Sequence, residues 1–201
     1  RCDAVIENIT EKVTVKQDLY QKMDEICKPD TCFIANTSCI SITAIAAFTS
    51  RMDQVIGIHF MNPAALKSTV ELIAGVHTNQ DTIQKAERFL SELGKSFVSV
   101  GDFPGFVSNR ISHLFMNEAA FAVQDRLAEP AQIDKIFREC FGHKLGPLET
   151  ADLIGLDVVA DSLDILFESY HDSKYRCCPL LRKMVSAGML GKKSGKGFYC
   201  Y

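Results

Sequence analysis

The stretch "GIHFMNPAALKSTVELI", residues 57–73, contains two apolar runs separated by an Asn-Pro break. His59 stands near the end of the first run, and Glu71 lies inside the second. Short apolar runs bounded by turn residues predict buried β-strands. An imidazole and a carboxylate in such strands need partners, because an unpaired buried charge is costly.

Strands and helices alternate on both sides of this stretch. The apolar patterns predict five strands, at residues 2–7, 31–38, 54–61, 69–75 and 96–102. Helical spacing of apolar residues predicts helices at residues 14–27, 40–48 and 79–94. Apolar strands that alternate with helices predict a parallel α/β sheet covered on both faces.

The pattern changes after about residue 101. From there the apolar residues recur with a helical period, and only the final "GFYCY" (residues 197–201) favours a strand. The sequence therefore predicts an α/β unit at residues 1–101, followed by an all-α unit at residues 102–201.

Composition excludes several classes of function. Of the 201 residues, 47% are hydrophobic, which suffices for one good core or two small ones. The net charge of −3 provides no basic surface for nucleic acid. No apolar run approaches the roughly 18 residues of a membrane span, and no secretory leader opens the sequence. The eight cysteines are scattered without CxxC spacing, which favours buried thiols in a reducing compartment and no metal site.

Polar residues follow the predicted strands. Because ligands gather at the carboxyl ends of parallel strands, we expect these residues to line one crevice. They are Glu7 and Glu11 after the first strand, Asn36, Thr37 and Ser38 after the second, and His59 and Asn62 after the third.

Glu71 is the simplest partner for His59. A carboxylate that accepts from one imidazole nitrogen fixes the tautomer and leaves the other nitrogen as a base. This arrangement suits deprotonation of an alcohol, or its reverse. The alternative is a structural histidine bonded to backbone and a glutamate that points to solvent from an edge strand.

The other candidates have ordinary structural explanations. Ser38 and Asn109 lie where helix caps are common, although Ser41 could equally cap the helix that follows Ser38. Asn36 and Asn62 could be turn residues, because asparagine is common in turns. Solvated surface charge is the default for four residues: Glu7, Glu11, Lys16 and Lys193.

Six motifs follow one another along the chain: "NTS" (36–38), "HFMNP" (59–63), "VEL" (70–72), "GDFPGFVSNR" (101–110), "GPLETADLIGLD" (146–157) and "GKKSGKGFYCY" (191–201). In this order and with these gaps, the series resembles the L-3-hydroxyacyl-CoA dehydrogenase family over essentially the whole chain.

The resemblance implies a fold and a reaction. Residues 1–101 would be the C-terminal part of a Rossmann-like doubly wound sheet, a partial NAD-binding domain. Residues 102–201 would be a helical dimerisation domain that forms a homodimer. The reaction would transfer a hydride between NAD(H) and C3 of a 3-hydroxyacyl thioester, with the cofactor carrying the hydride chemistry.

The resemblance also implies roles for residues. His59 would be the catalytic acid/base and Glu71 the carboxylate that orients it. Ser38 and Asn109 would hydrogen-bond the reacting oxygen of the substrate and help place its thioester. Six residues would contact NAD: Asn8, Glu11, Lys16, Asn36, Asn62 and Lys193.

Two features depart from the family pattern. The glycine-rich GxGxxG turn that binds the pyrophosphate does not occur in the sequence. The chain therefore looks truncated, and we expect weak NAD binding and an unpaired sheet edge. The segment "NPAALKSTVEL" is more similar to relatives that act on carrier-protein-bound acyl groups, so the thiol carrier is CoA or a carrier protein.

Two other functions stay open at this point. One is a catalytically silent, truncated dimeric module, and the other is a related dehydrogenase of free hydroxy or sugar acids. The expected location is intracellular, either cytoplasmic or mitochondrial.

Overall fold

A computed structural model describes residues 2–201, which divide into two compact units. The first unit ends at Val107 and the second spans Ser108–Tyr201. The sequence pattern predicts a boundary between residues 101 and 102.

The first unit is a five-stranded sheet with three α-helices. Its strands are β1 (Ala4–Glu7), β2 (Cys32–Ala35), β3 (Val55–His59), β4 (Thr69–Ala74) and β5 (Ser96–Val100). Its helices are α1 (Val13–Ile26), α2 (Ile42–Ala46) and α3 (Gln80–Glu92), and a 3₁₀ turn spans Met52–Gln54. The mixed α/β architecture predicted from the alternating pattern is confirmed.

The strands are ordered β1-β2-β3-β4-β5, and three of the four pairings are parallel. The prediction of an entirely parallel sheet is wrong at one place, because β3 and β4 are antiparallel. The physical reason is the length of their connection. Only residues 60–68 join the two strands, whereas a parallel crossover needs a dozen or more residues.

Helices cover both faces of the sheet. Helices α1 and α2 pack with Phe33, Val55 and Ile73 on one face. Helix α3 packs with residues of the opposite parity on the other face, including Ile34 and Ile56. Because side chains alternate across a strand, this parity directs His59 and Glu71 to the α1–α2 face.

The outer strands are more exposed than their apolar sequences indicate. In β5, Phe97 and Val98 keep 36% and 54% of their surface accessible, and Ile6 in β1 keeps 37%. Helices cover both faces of the sheet, but β1 and β5 are less buried than the central strands. Each has one neighbouring strand within the described chain, so one flank of each contributes no packing.

The second unit consists of helices around its own core. They are α4 (Ser108–Gln124), α5 (Pro130–Phe141), α6 (Pro147–Ile154), α7 (Leu156–Tyr170) and α8 (Pro179–Ser186), with 3₁₀ turns at Ser173–Tyr175 and Lys192–Ser194. The core includes Leu148, Leu156 and Leu163, which are fully buried. None of the helices in residues 2–201 is both long and apolar enough to cross a membrane.

The C-terminal segment is not the strand that "GFYCY" predicts. It forms isolated bridges and is held by a buried carboxylate, Asp152. Asp152 accepts from the backbone N–H groups of Phe198 and Tyr199 at 3.0 Å and from the Tyr201 hydroxyl at 3.1 Å. These two backbone N–H groups thus bond to a carboxylate rather than to a neighbouring strand.

Candidate active site

His59 and Glu71 form a buried cross-strand pair. Their Cα atoms are direct partners in the antiparallel β3–β4 register. His59 Nδ1 lies 2.8 Å from Glu71 Oε2, and the two residues are only 5% and 6% exposed. The alternative in which Glu71 points to solvent is excluded.

The chain after β5 closes over this pair. The Val107 N–H donates to the second oxygen of Glu71, Oε1, at 3.1 Å. The ring of Phe106, which is 3% exposed, packs against the His59 imidazole with a centroid distance of 5.9 Å. Both contacts come from the "GDFPGF" motif and its next residue, so this motif shields the pair from water.

Ser38 lies on the other side of the imidazole. Its Oγ is 3.2 Å from His59 Nε2. An ionised Glu71 can only accept hydrogen bonds, so His59 Nδ1 carries the proton in that state. Nε2 of the neutral ring is then an acceptor, and the Ser38 hydroxyl donates to it. The result is an ordered Ser38–His59–Glu71 array.

A second carboxylate fixes the backbone at Ser38. Glu11 accepts from the Ser38 N–H at 2.5 Å through one oxygen and from Thr37 Oγ1 at 2.7 Å through the other. The cap of α2 is Ser41, whose side chain accepts from the Ala44 N–H. Ser38 is therefore not a helix cap, and its hydroxyl faces the imidazole.

The asparagines after β1 and β2 are bonded to each other. Asn36 Nδ2 donates to Asn8 Oδ1 at 2.6 Å, and Asn36 Oδ1 accepts from the Phe60 N–H at 3.1 Å. Asn62 is exposed and precedes Pro63 across a cis peptide bond. Asn36 thus ties together the ends of the first three strands, as the predicted crevice requires.

Glu7 and Lys16 are not the solvated charges that their residue types predict. Lys16 Nζ donates to Glu7 Oε2 at 2.5 Å, and each side chain is 1% exposed. The Ile9 N–H donates to Glu7 Oε1 at 2.7 Å. Burial raises the pKa of Tyr20, with a further contribution from the neighbouring Glu7 carboxylate. The expectation that both side chains are exposed is wrong, because each charge is the partner that allows the other to be buried.

Two predicted site residues belong to the second unit. Asn109 lies in the first turn of α4, where its carbonyl oxygen is 3.0 Å from His113 Nδ1. Lys193 donates to Asp157 Oδ2 at 2.7 Å in a partly exposed ion pair. Burial of Asp157 opposes its ionisation, but the hydrogen bond from Lys193 prevails and lowers the pKa of that carboxyl.

Asp102 is a residue that the sequence interpretation missed. Its carboxylate accepts from the N–H groups of Ile42 and Thr43 at 2.7 and 2.8 Å. It also accepts from the hydroxyls of Ser41 and Thr43 at 2.9 and 2.6 Å. Asp102 thereby anchors the "GDFPGF" motif to α2. The available signal was an acidic residue directly after a strand and before a proline turn.

The residues at the carboxyl ends of β1–β3 suit a nicotinamide. Asn8, Asn36 and Asn62 offer amide donors and acceptors, which match the carboxamide of that ring. They lie at the carboxyl ends of the strands, which is where doubly wound folds bind dinucleotides. The contact between Ser38 and His59 lies at the same end of the sheet. The donor set therefore fits the nicotinamide half of NAD.

Comparison with known families identifies the chain. Residues 1–103 match the "3-hydroxyacyl-CoA dehydrogenase, NAD binding domain" family, and residues 105–201 match the "3-hydroxyacyl-CoA dehydrogenase, C-terminal domain" family. The chain belongs to the 3-hydroxyacyl-CoA dehydrogenase family. The resemblance inferred from the six motifs is confirmed, and so is NAD as the cofactor.

Individual relatives agree with this assignment. A Bacillus subtilis protein named "Probable 3-hydroxybutyryl-CoA dehydrogenase" is 46% identical over 199 residues, covering 99% of this chain and 69% of the relative. The 3-hydroxybutyryl-CoA dehydrogenase of Bradyrhizobium diazoefficiens is 43% identical, covering 100% of this chain and 68% of the relative. The crystal structure of (S)-3-hydroxybutyryl-CoA dehydrogenase from Ralstonia eutropha superimposes with a TM-score of 0.94 at 42% identity, covering 99% of this chain and 70% of that one.

Proposed function

We propose that this chain catalyses NAD-dependent interconversion of a 3-hydroxyacyl-CoA and a 3-oxoacyl-CoA, with a short acyl group. The observation that carries the proposal is the ordered Ser38–His59–Glu71 array at the carboxyl end of the sheet. The 3-hydroxybutyryl-CoA dehydrogenases among the relatives support the thioester and the short chain.

His59 is the acid/base in this proposal. Glu71 accepts from Nδ1–H and holds the ring in one tautomer, so Nε2 takes the proton of the C3 hydroxyl during oxidation and returns it during reduction. The imidazolium formed in between is stabilised by the buried Glu71 carboxylate. Ser38 Oγ, beside Nε2, is placed to hydrogen-bond the same substrate oxygen. The chemistry that bound NAD(H) supplies is acceptance or donation of the hydride.

The remaining assignments follow from the family resemblance. Asn109 would help hold the thioester, and the NAD contacts would be Asn8, Glu11, Lys16, Asn36, Asn62 and Lys193. Residues 1–101 would be the partial NAD-binding domain and residues 102–201 the helical domain. An intracellular location, cytoplasmic or mitochondrial, stays a prediction.

Homodimerisation through the helical domain is part of the proposal. Such a dimer would bury large apolar side chains that the second unit exposes. Examples are Ile111 at 63% and Phe141 at 66% accessible surface. Sedimentation of the chain measures its mass directly, and a monomer at micromolar concentration would contradict the proposed dimer.

The decisive test is NADH oxidation with acetoacetyl-CoA by the wild type and by His59→Gln. We expect the variant to lose turnover by about 10²–10⁴, the range for a general acid/base, while its circular dichroism stays native. The matched control is His77→Gln, since His77 is an exposed histidine of the same unit. Equal turnover in the wild type and His59→Gln, or no turnover by the wild type, would contradict the proposal.

The substrate carrier is tested with the same assay. Acetoacetate, acetoacetyl-CoA and an acetoacetyl-carrier protein are compared at equal concentration. We expect CoA thioester to be preferred over the free acid by orders of magnitude. A preference for the carrier protein would shift the function to carrier-bound acyl groups, and a preference for the free acid would favour the hydroxy-acid alternative.

A further inference from the structure

The Glu7–Lys16 pair lies beside the loop between β1 and α1, which carries two proposed site residues. Glu7 is the last residue of β1, and Lys16 lies in the first turns of α1. Residues 8–12 connect them and include Asn8 and Glu11. The two ends of this loop are joined by one ion pair with a 2.5 Å contact.

Both oxygens of Glu7 hold this loop in place. Oε2 accepts from the Lys16 ammonium, which fixes the start of α1 relative to β1. Oε1 accepts from the Ile9 N–H at 2.7 Å, inside the loop itself. Glu7 therefore holds the loop at its β1 end, while Asn8 and Glu11 hold it to residues 36–38.

The loop is connected to the acid/base by a short series of hydrogen bonds. Glu11 accepts from the Ser38 N–H at 2.5 Å. Ser38 Oγ lies 3.2 Å from His59 Nε2. A displacement of the loop moves Glu11, and with it the hydroxyl that faces the imidazole.

Stability alone is a poor explanation for this pair. Removing two charges from water is costly, and well-packed apolar residues at such sites are often neutral or stabilising replacements. The surroundings include large aromatic rings, since Tyr20 is fully buried one turn after Lys16 and packs on Phe33. An ion pair here offers directional contacts to Ile9 and Lys16, which apolar side chains cannot make.

We propose that Glu7 is a positioning residue for the reaction, with Lys16 as its partner: the buried pair sets the 8–12 loop so that Glu11 aligns Ser38 with His59. Its catalytic consequence rests on the proposed function. Its structural part, in which the Ser38–His59 contact depends on Glu7, can be tested without enzyme activity.

The test measures amide hydrogen exchange by NMR in the cofactor-free chain. The variants are Glu7→Gln and the neutral double variant Glu7→Gln/Lys16→Met, which leaves no unpaired buried charge. In the double variant we expect the Ser38 amide to exchange about tenfold faster or more, while the Ile56 and Ile58 amides of β3 keep their rates because global stability is retained. The control is Asp81→Asn, which removes an exposed ion pair with Lys85 in the same unit and should leave Ser38 exchange unchanged.

Enzyme kinetics give the second measurement. The assay uses saturating NADH, because Lys16 is also a proposed NAD contact. We expect kcat of the double variant to fall about tenfold or more, with the KM for acetoacetyl-CoA nearly unchanged, because the lost alignment acts on the transition state rather than on thioester binding. Wild-type Ser38 exchange and wild-type kcat in the double variant would overturn the proposal.

Two further outcomes are distinguishable. If both Gln variants lose the fold, so that the β3 amides also exchange rapidly, Glu7→Asp decides, because it keeps the charge beside Lys16 but is too short to bond Ile9 as well. Unchanged Ser38 exchange in Glu7→Asp overturns the proposal, and faster exchange supports it. If the wild type does not oxidise NADH, the proposed function fails while the exchange result still tests the role of Glu7.

Discussion

His59 and Glu71 are direct partners across an antiparallel strand pair, and their side chains meet at 2.8 Å in a buried position. A slip of one residue in this register would turn one of the two side chains to the opposite face of the sheet. The pairing of β3 with β4 is thus what creates the acid/base pair.

Glu71→Gln should impair turnover while leaving the chain folded. The amide can still accept from the Val107 N–H, but it cannot stabilise an imidazolium as a carboxylate does. We expect kcat to fall by about 10²–10⁴ in the NADH assay, as for other carboxylates that orient a catalytic histidine. Glu92→Gln on the exposed side of α3 is the matched control, and a wild-type kcat for Glu71→Gln would contradict the mechanism.

Ser38→Ala should reduce turnover without a loss of stability. Its hydroxyl contacts His59, whereas the cap of α2 is Ser41 and the bond to Glu11 uses the Ser38 backbone N–H. We expect kcat to fall about 10- to 100-fold and the melting temperature to stay within a few degrees. Ser91→Ala on α3 is the control, and a large drop in melting temperature for Ser38→Ala would indicate a structural role instead.

Asp102→Ala should destabilise the first unit. The carboxylate accepts four hydrogen bonds from residues 41–43, two of them from backbone N–H groups at the start of α2. We expect a loss of about 2–4 kcal/mol in the free energy of unfolding, from the lost cap and the unpaired donors. Urea unfolding measures this loss.

The control for Asp102 is Asp30→Ala, because Asp30 is an exposed aspartate of the same unit. We expect that substitution to change the free energy of unfolding by no more than about 0.5 kcal/mol. Equal stabilities of the two variants would show that the α2 contacts of Asp102 contribute nothing measurable.

Asp152 should make the stability of the second unit depend on pH. Burial raises the pKa of this carboxyl, and the nearby Asp134 carboxylate adds to the effect against the hydrogen bonds from Phe198, Tyr199 and Tyr201. The folded state therefore binds the proton more tightly than the unfolded state. The resulting stabilisation is fully present below the unfolded pKa of about 4 and is lost as pH rises through the folded pKa.

The measurement is the difference in free energy of unfolding between the wild type and Asp152→Asn across this pH range. We expect the advantage of the wild type to shrink as pH rises above about 4. Asp125→Asn, at an exposed position, should show no such trend. A wild-type advantage that grows with pH would contradict the raised pKa.

Much of the first unit could be predicted from local pattern. The apolar runs around His59 and Glu71 become β3 and β4, and the apolar positions of residues 79–94 become α3. The antiparallel direction of β4 was also predictable, since residues 60–68 are too few for a crossover. The exposure of β5 could not be predicted in this way, because it depends on which strand is the last in the sheet.

The positions of single side chains were harder to predict. Glu7 and Lys16 are surface residues by type, and their burial as a pair follows from the packing of α1 on the sheet. Asp102 binds residues about sixty positions earlier in the chain, a contact that no local periodicity encodes. Asn109 and Lys193 keep roles that rest on the family motifs alone.

The sequence by itself determined the alternation of strands and helices, the change to an all-helical half and the six motifs that mark the family, because these are properties of residue type and local period. Only the tertiary structure decided the β3–β4 register, the contact of Ser38 with His59 and the burial of Glu7 with Lys16. Those features join residues that are distant in the chain, so they depend on strand pairing and packing rather than on any short stretch of sequence.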